Sequence, residues 1–152
     1  MTTKPLPALV LGSVALVAAG CGRAVMVTPP EVSAETAAQC ETANAALPLR
    51  LVDEQRIETM PDPTTTAAWG APAIVWRCGV PVPPSLQPTS QLAEIDGVAW
   101  FPETLSDGTR FTAVRSKPVV ELTVPADYGN PAAVLAELQA ATAALGGGST
   151  PP

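Results

Sequence analysis

Residues 73–78, which read AIVWRC, form the clearest strand signal in this sequence, and the predicted fold is built outward from them. Successive side chains of a strand point to opposite faces, so Ile74, Trp76 and Cys78 share one face while Arg77 lies on the other. A face that carries bulky apolar side chains must be covered by another layer of structure. The stretch therefore predicts a strand that is packed on one side.

The segment before this strand predicts a helix that provides the covering layer. Ser33 is a good N-cap residue, and the helix ends before Pro48, because the residue preceding a proline disfavours helical geometry. Small and apolar residues recur along it at helical spacing, which places Cys40 on the buried stripe. This stripe consists of Ala37, Cys40, Ala43 and Leu47.

The segment after the strand predicts further strands and one more helix. Residues 60–66 and the proline-rich residues 79–90 are predicted to be loops. Strands are expected near 98–101, 110–115 and 119–124, and the second of these follows a hairpin turn at Asp107-Gly108. Asn130 and Pro131 begin a last helix, which Gly146 ends. Together these elements predict an α+β fold, with a single small antiparallel sheet and an N-terminal and a C-terminal helix packed on one face.

The chain begins with the features of an export signal. An uncharged run of twelve residues (8–19, ALVLGSVALVAA) follows Lys4 and is shorter than the about twenty residues that span a membrane. Cys21 follows Ala19 and Gly20, as in a lipobox, where the cysteine carries lipid and the signal is cleaved before it. The alternative is cleavage near Ala24 with loss of Cys21. The predicted organisation is a signal peptide (1–20), a lipid-anchor cysteine and tether (21–31), one domain (32–146) and a flexible tail (147–152).

The cysteine count fits this organisation. The chain has three cysteines, and an odd thiol in an exported protein requires an explanation. If Cys21 carries lipid, Cys40 and Cys78 remain as a pair that can form a disulfide in an oxidising compartment. The alternative is that they are two unrelated buried thiols. Two cysteines without any histidine do not provide the four ligands of a zinc site, so no metal is expected.

Composition excludes several classes of function. The net charge of −6 and the absence of a basic cluster argue against nucleic-acid binding and against electrostatic docking on anionic lipid. The chain has no histidine, which removes the usual general base of hydrolases. We therefore predict a protein that is not an enzyme and carries no cofactor.

Several strings in the sequence resemble an actinobacterial family of small secreted lipoproteins known as domain of unknown function 3515. The resemblance covers roughly residues 40–138 and implies an actinobacterial envelope protein. It implies no activity and no catalytic residues. The similar strings are WGAPAIVWRCGV (69–80), DGVAW (96–100), RFTAVR (110–115) and VELTVP (120–125).

Four residues are candidates for contact with a ligand or partner. Trp69, in a predicted loop, offers an aromatic face to a sugar or an acyl chain, and its alternative role is in the core. Arg77, Arg110 and Arg115 are candidates for binding a carboxylate or phosphate. The alternative for the arginines is structural, since Glu121 on an adjacent strand would form an ordinary cross-strand ion pair.

The sequence thus predicts a non-catalytic lipoprotein on the outer face of the cell membrane, or alternatively a secreted protein, that binds a protein partner or an envelope component. One alternative is a module that binds a small molecule, such as a lipid or a cell-wall fragment. Another is a carboxylate-dependent cell-wall hydrolase. The acidic candidates for such a hydrolase are Glu94, Asp96, Glu103, Asp107 and Glu121.

Overall fold

The computed structural model describes residues 24–146. The predicted signal peptide, the lipid-anchor residue Cys21 and the predicted tail at 147–152 lie outside the described residues. Within the described part of the chain, no helix combines the length and apolar character needed to cross a membrane.

The fold is α+β. The strands are β1 (Val25–Met26), β2 (Arg50–Leu51), β3 (Glu54–Ile57), β4 (Thr59–Met60), β5 (Thr66–Trp69), β6 (Ile74–Cys78), β7 (Ala93–Ile95), β8 (Val98–Thr104), β9 (Gly108–Ala113) and β10 (Val120–Pro125). The helices are α1 (Ala34–Ala45), α2 (Pro131–Ala136) and α3 (Gln139–Ala143), and a 3-10 turn spans Ala126–Tyr128.

The main element is an eight-stranded antiparallel sheet with the strand order β2-β3-β5-β6-β10-β9-β8-β7. Two further short strands, β1 and β4, pair in parallel with each other.

The core lies between the helices and one face of the sheet. Trp76 on β6 stands opposite Leu122 on β10, and Leu122 stands opposite Phe111 on β9. Their side chains share a face because neighbouring residues in register point the same way. Helix residues such as Cys40 and Leu138 join them in one buried cluster. We call this face the inner face and the opposite one the outer face.

The predicted disulfide is present. Cys40 of α1 is bonded to Cys78 of β6, with a Cα–Cα distance of 5.6 Å, and neither residue is accessible to solvent. The covalent link therefore joins α1 to the middle of the sheet. The alternative of two unrelated thiols is excluded for this structure.

The class and the antiparallel pairing agree with the prediction, but the sheet is not small. The main strand that the sequence did not reveal is β5, because its short TAAW sequence has two alanines and a weak strand propensity. It forms a hairpin with β6, where Ala67 stands opposite Trp76. Pairing with a strong neighbouring strand compensates for its weak propensity.

The predicted single C-terminal helix is interrupted. Leu138, between α2 and α3, has φ −95° and ψ 5°, and its N–H donates to the carbonyl of Leu135, three residues earlier. This tight turn breaks the regular helical pattern although no proline or glycine lies there. Side chains on both sides of the break, including Val134 and Ala141, are buried in the core.

The described part of the predicted tether is packed against the domain. The N–H of Val25 donates to Glu58 O at 2.8 Å, and that of Val27 donates to Met60 O at 2.9 Å. Val27 is buried, and Arg77 Nε donates to Thr28 O at 3.1 Å. Residues 24–28 are therefore held against the domain, because backbone groups of this segment pair with residues 58–60 and the Val27 side chain is covered.

Candidate functional site

The outer face of the sheet carries a row of charged side chains. Arg77 on β6 stands directly opposite Glu121 on β10. On the next pair of strands, Arg110 of β9 stands opposite Glu103 of β8. Since β10 lies between β6 and β9, the register brings all four residues onto neighbouring strands. We call these four residues the charged ladder.

Glu121 links the two halves of the ladder. Its Oε1 lies 3.1 Å from Arg77 Nη1, and its Oε2 lies 3.6 Å from Arg110 Nε. Arg110 Nη1 in turn lies 3.8 Å from Glu103 Oε2. The side chains alternate in sign, so the ladder is neutral as a whole while it remains strongly polar.

The ladder is only partly exposed to water. The Glu121 side chain is 11% exposed, whereas those of Arg77 and Glu103 are 29% and 22% exposed. Two buried atoms, Arg110 Nε and Glu103 Oε2, have no hydrogen-bond partner among residues 24–146. Their ion-pair distances of 3.6 and 3.8 Å exceed the length of an ordinary hydrogen bond. These two atoms are therefore held by ion pairs that are too long to be hydrogen bonds.

A proline-rich segment forms the opposite wall of a cleft over this ladder. Residues 80–85 cross the outer face, and Ser85 Oγ donates to Glu103 Oε1 at 2.6 Å. The space enclosed is about 370 Å³ and is lined by the ladder together with Val80, Pro81, Val82, Pro83, Pro84 and Ser85. We call it the charged cleft. Its combination of apolar walls with a few convergent polar groups is typical of binding sites.

The structure separates the three arginines that the sequence suggested as one patch. Arg77 and Arg110 meet at Glu121, as the structural alternative anticipated. Arg115 does not join them. It lines a second cleft, which lies between the end of β9 and residues 86–92, where the proline-rich segment ends.

Trp69 lies in β5 and not in a loop, and its side chain is fully buried. Its indole N–H donates to Pro48 O at 2.9 Å, and the Arg56 guanidinium lies over the ring, 5.9 Å from its centroid. The residue therefore presents no surface to a ligand in this conformation. Trp76 and Trp100 are also buried in the core.

Sequence reasoning did not join Glu103 to Arg110, because the predicted two-residue turn at Asp107-Gly108 would place Glu103 opposite Thr112. In the structure the connection is longer, so Thr104 stands opposite Thr109 and Glu103 stands opposite Arg110. The proline-rich wall had no sequence signal, because its position over the sheet depends on tertiary packing. Among residues 24–146, no group of three or more His, Cys, Asp or Glu side chains is arranged to hold a metal ion.

Comparison with known proteins identifies the family. The family model described as "Protein of unknown function (DUF3515)" matches residues 5–145. Because the match covers nearly the whole chain, the protein belongs to this family. No curated protein and no solved structure matched the chain.

Proposed function

We propose that this protein is a non-catalytic binding domain, anchored outside the cell membrane by lipid on Cys21, that recognises a protein partner or envelope component through the charged cleft. The observation that carries the proposal is the charged cleft itself, an opening of about 370 Å³ in which the ladder faces the apolar wall of residues 80–85. The side chains of Arg77, Arg110 and Glu103 are 29%, 37% and 22% exposed, so a ligand in the cleft can contact them. A concave site with apolar walls and a few convergent polar groups is the usual form of a binding site.

The charges of the cleft restrict the chemistry of what it binds. Two arginines and two glutamates neutralise each other along the ladder, so the cleft favours a group that is uncharged but carries both a donor and an acceptor. Peptide amides and sugar hydroxyls have this character. The apolar wall around Val82, which is 48% exposed, adds surface for aliphatic parts of the same ligand.

We also propose that the protein is a lipoprotein and that it comes from an actinobacterium. These two points have their own support in the sequence. They rest on the sequence Ala19-Gly20-Cys21 after an apolar run and on the resemblance of several strings to the family. The net charge of −6 leaves a lipid anchor as the better source of membrane attachment than electrostatic attraction to anionic lipid.

A non-catalytic role is supported by the arrangement of the acidic side chains in the cleft. Glu121 contacts two arginines, and Glu103 contacts Arg110 and the hydroxyl of Ser85. Both carboxylates are therefore engaged by groups of the protein. Of the other acidic candidates, Asp96 has a positive φ of 49° and precedes Gly97, which fits a residue of the turn between β7 and β8.

Photo-crosslinking in living cells tests the proposal. A photoreactive amino acid replaces Val82 in the wall of the charged cleft, and in a control strain it replaces Leu49, which is 78% exposed and does not line this cleft. We expect a defined adduct from position 82 that disappears in the charge-neutral double variant Glu103→Ala, Arg110→Ala. The adduct should persist when the exposed Lys117 is changed to Ala.

Equal adducts from positions 49 and 82, or an adduct that survives the double variant, would refute binding at the charged cleft. A hydrolase makes a different prediction. Purified cell wall incubated with the wild-type protein would release soluble fragments, and this release would stop in Glu103→Gln or Glu121→Gln. Such release would replace the binding proposal by the hydrolase.

A further inference from the structure

A second cleft is lined by the chain that follows residues 80–85 and by the residues just after the end of β9. It encloses about 430 Å³, and most of its lining is apolar or uncharged. Arg115 is the only charged side chain in the lining. The lining residues are Leu86, Gln87, Pro88, Ser90, Leu92, Val114 and Arg115. We call it the Arg115 cleft.

The polar groups of the loop that forms one wall are already satisfied. The N–H of Ser90 donates to Gln87 O at 2.9 Å, and the N–H of Gln87 donates to Ser90 Oγ, also at 2.9 Å. These reciprocal bonds close the turn at 87–90. The aliphatic side chains of Leu86 and Leu92 lie in this wall beside the exposed amide of Gln87.

Arg115 itself is exposed and has no ion pair and no side-chain hydrogen bond within residues 24–146. The other arginines of the described chain are engaged. Arg77 and Arg110 are held by Glu121, and Arg50 and Arg56 donate hydrogen bonds. The chain as a whole repels anions, because its net charge is −6. The unpaired guanidinium at the edge of an apolar cleft is a local exception where an anion is attracted at short range.

We propose that the Arg115 cleft binds an unbranched aliphatic monocarboxylate, with the carboxylate on the Arg115 guanidinium and the alkyl chain against Leu86, Leu92 and Val114. A guanidinium matches a carboxylate through two parallel hydrogen bonds. One cation balances one negative charge, whereas a phosphate monoester carries about −1.5 to −2 and would leave charge unpaired. The alkyl chain gains by leaving water for the apolar walls.

This inference goes beyond the function proposed above and depends on different residues. The charged cleft selects a neutral polar group, while the Arg115 cleft selects an amphiphilic anion. The two clefts share no lining residue.

Isothermal titration calorimetry tests the inference. The mature chain, carrying Cys21→Ser so that neither lipid nor detergent competes, is titrated with hexanoate, octanoate and decanoate below their micelle concentrations. Burial of one methylene contributes about 0.8 kcal/mol, or roughly fourfold in affinity. We therefore expect binding to tighten at least fourfold for each two-carbon extension, because burial in an open cleft is partial.

Two substitutions with the same change in charge separate a specific site from general electrostatic attraction. Arg115→Gln should weaken decanoate binding at least tenfold. Lys117→Gln, which changes an exposed cation that does not line the cleft, should change it less than twofold. Thermal unfolding of both variants shows that they are folded, and methyl resonances of Leu86, Leu92 and Val114 should shift on titration of the wild type.

Several outcomes would overturn the inference. These are absence of decanoate binding by the folded wild type, equal loss in the two variants, affinity independent of chain length, or tighter binding of decyl phosphate than of decanoate. The double variant Glu103→Ala, Arg110→Ala should keep decanoate binding. The experiments therefore test binding at the charged cleft and binding at the Arg115 cleft independently of each other.

Discussion

Arg77 and Glu121 stand directly opposite each other on β6 and β10, and Arg77 Nη1 lies 3.1 Å from Glu121 Oε1. The Glu121 side chain is only 11% exposed, so its negative charge is largely removed from water and is compensated by the neighbouring arginines. The pair therefore stabilises the sheet at the same place where the charged cleft opens.

Replacement of Glu121 by Ala should lower the free energy of unfolding by about 2 kcal/mol. The variant leaves two partly buried arginines without their shared carboxylate. Breaking a fully buried pair costs about 3–5 kcal/mol, and the cost is smaller here because the arginine side chains are partly exposed to water. Urea unfolding measures the change. Glu94→Ala, at an exposed residue that makes no ion pair within the described residues, is the control and should change stability by less than about 0.5 kcal/mol. Similar losses in both variants would contradict the role assigned to Glu121.

Gly70→Ala should be strongly destabilising, because two costs combine at this residue. Its φ of +71° is unfavourable for alanine, and an added Cβ would overlap the Tyr128 hydroxyl and lie 2.7 Å from Glu54 Cγ. We expect a loss of about 3 kcal/mol from left-handed geometry and overpacking together. Gly146→Ala is the matched control, since its φ is +67° but no atom lies within 4 Å of the added Cβ. Equal effects of the two substitutions in thermal unfolding would show that the overlap is relieved at no cost.

Removal of the disulfide should lower stability substantially. Cys40 and Cys78 are 38 residues apart, and the chain-entropy model gives about 3–4 kcal/mol for a loop of this length. The double variant Cys40→Ala, Cys78→Ala should unfold at a correspondingly lower urea concentration. Cys21→Ser is the control and should leave the midpoint unchanged. A double variant as stable as the wild type would mean that packing alone holds α1 on the sheet.

Asp62 should make stability depend on acidic pH. The N–H of Thr64 donates to its Oδ1 at 2.8 Å, and this bond, with one from the Thr65 hydroxyl, lowers the pKa of the Asp62 carboxyl below its ordinary value of 3.8. A lowered pKa in the folded state contributes stability that is present above the unfolded pKa and is lost as the pH falls towards the folded pKa. Wild type should therefore exceed Asp62→Asn in stability at pH 6 by more than at pH 3. An equal difference at both pH values would exclude this contribution.

Trp69→Phe should affect stability and leave binding unchanged. The substitution removes the indole N–H that donates to Pro48 O, which corresponds to about 1 kcal/mol for one hydrogen bond. Because Trp69 lines neither cleft, decanoate affinity and the crosslink from position 82 should stay as in wild type. A loss of either would restore Trp69 as a ligand contact.

The features that the sequence predicted are those that depend on neighbouring residues. Alternation in residues 74–78 is enough to identify β6, and Ser33 is sufficient to place the start of α1. Asn130 and Pro131 likewise mark the start of α2. Each of these signals is contained within a few residues and is little changed by the rest of the chain.

The features that escaped prediction depend on distant contacts. β5 exists because it pairs with β6, and β1 exists because it pairs with β4. The position of Glu103 opposite Arg110 depends on the length of the connection between β8 and β9. The two clefts are formed by a proline-rich segment whose course over the outer face is determined by packing and not by its own sequence.

If Cys21 carries the proposed lipid, the pairing of β1 with β4 limits how far the domain can stand from the membrane. Two residues, Gly22 and Arg23, separate Cys21 from the first described residue, Ala24, and so short a link spans at most about 10 Å. A domain anchored at Cys21 would thus be held at a nearly constant height above the bilayer, with a restricted range of tilt. Partners that it engages would have to arrive at the membrane surface, by diffusing along it or by being attached to it themselves.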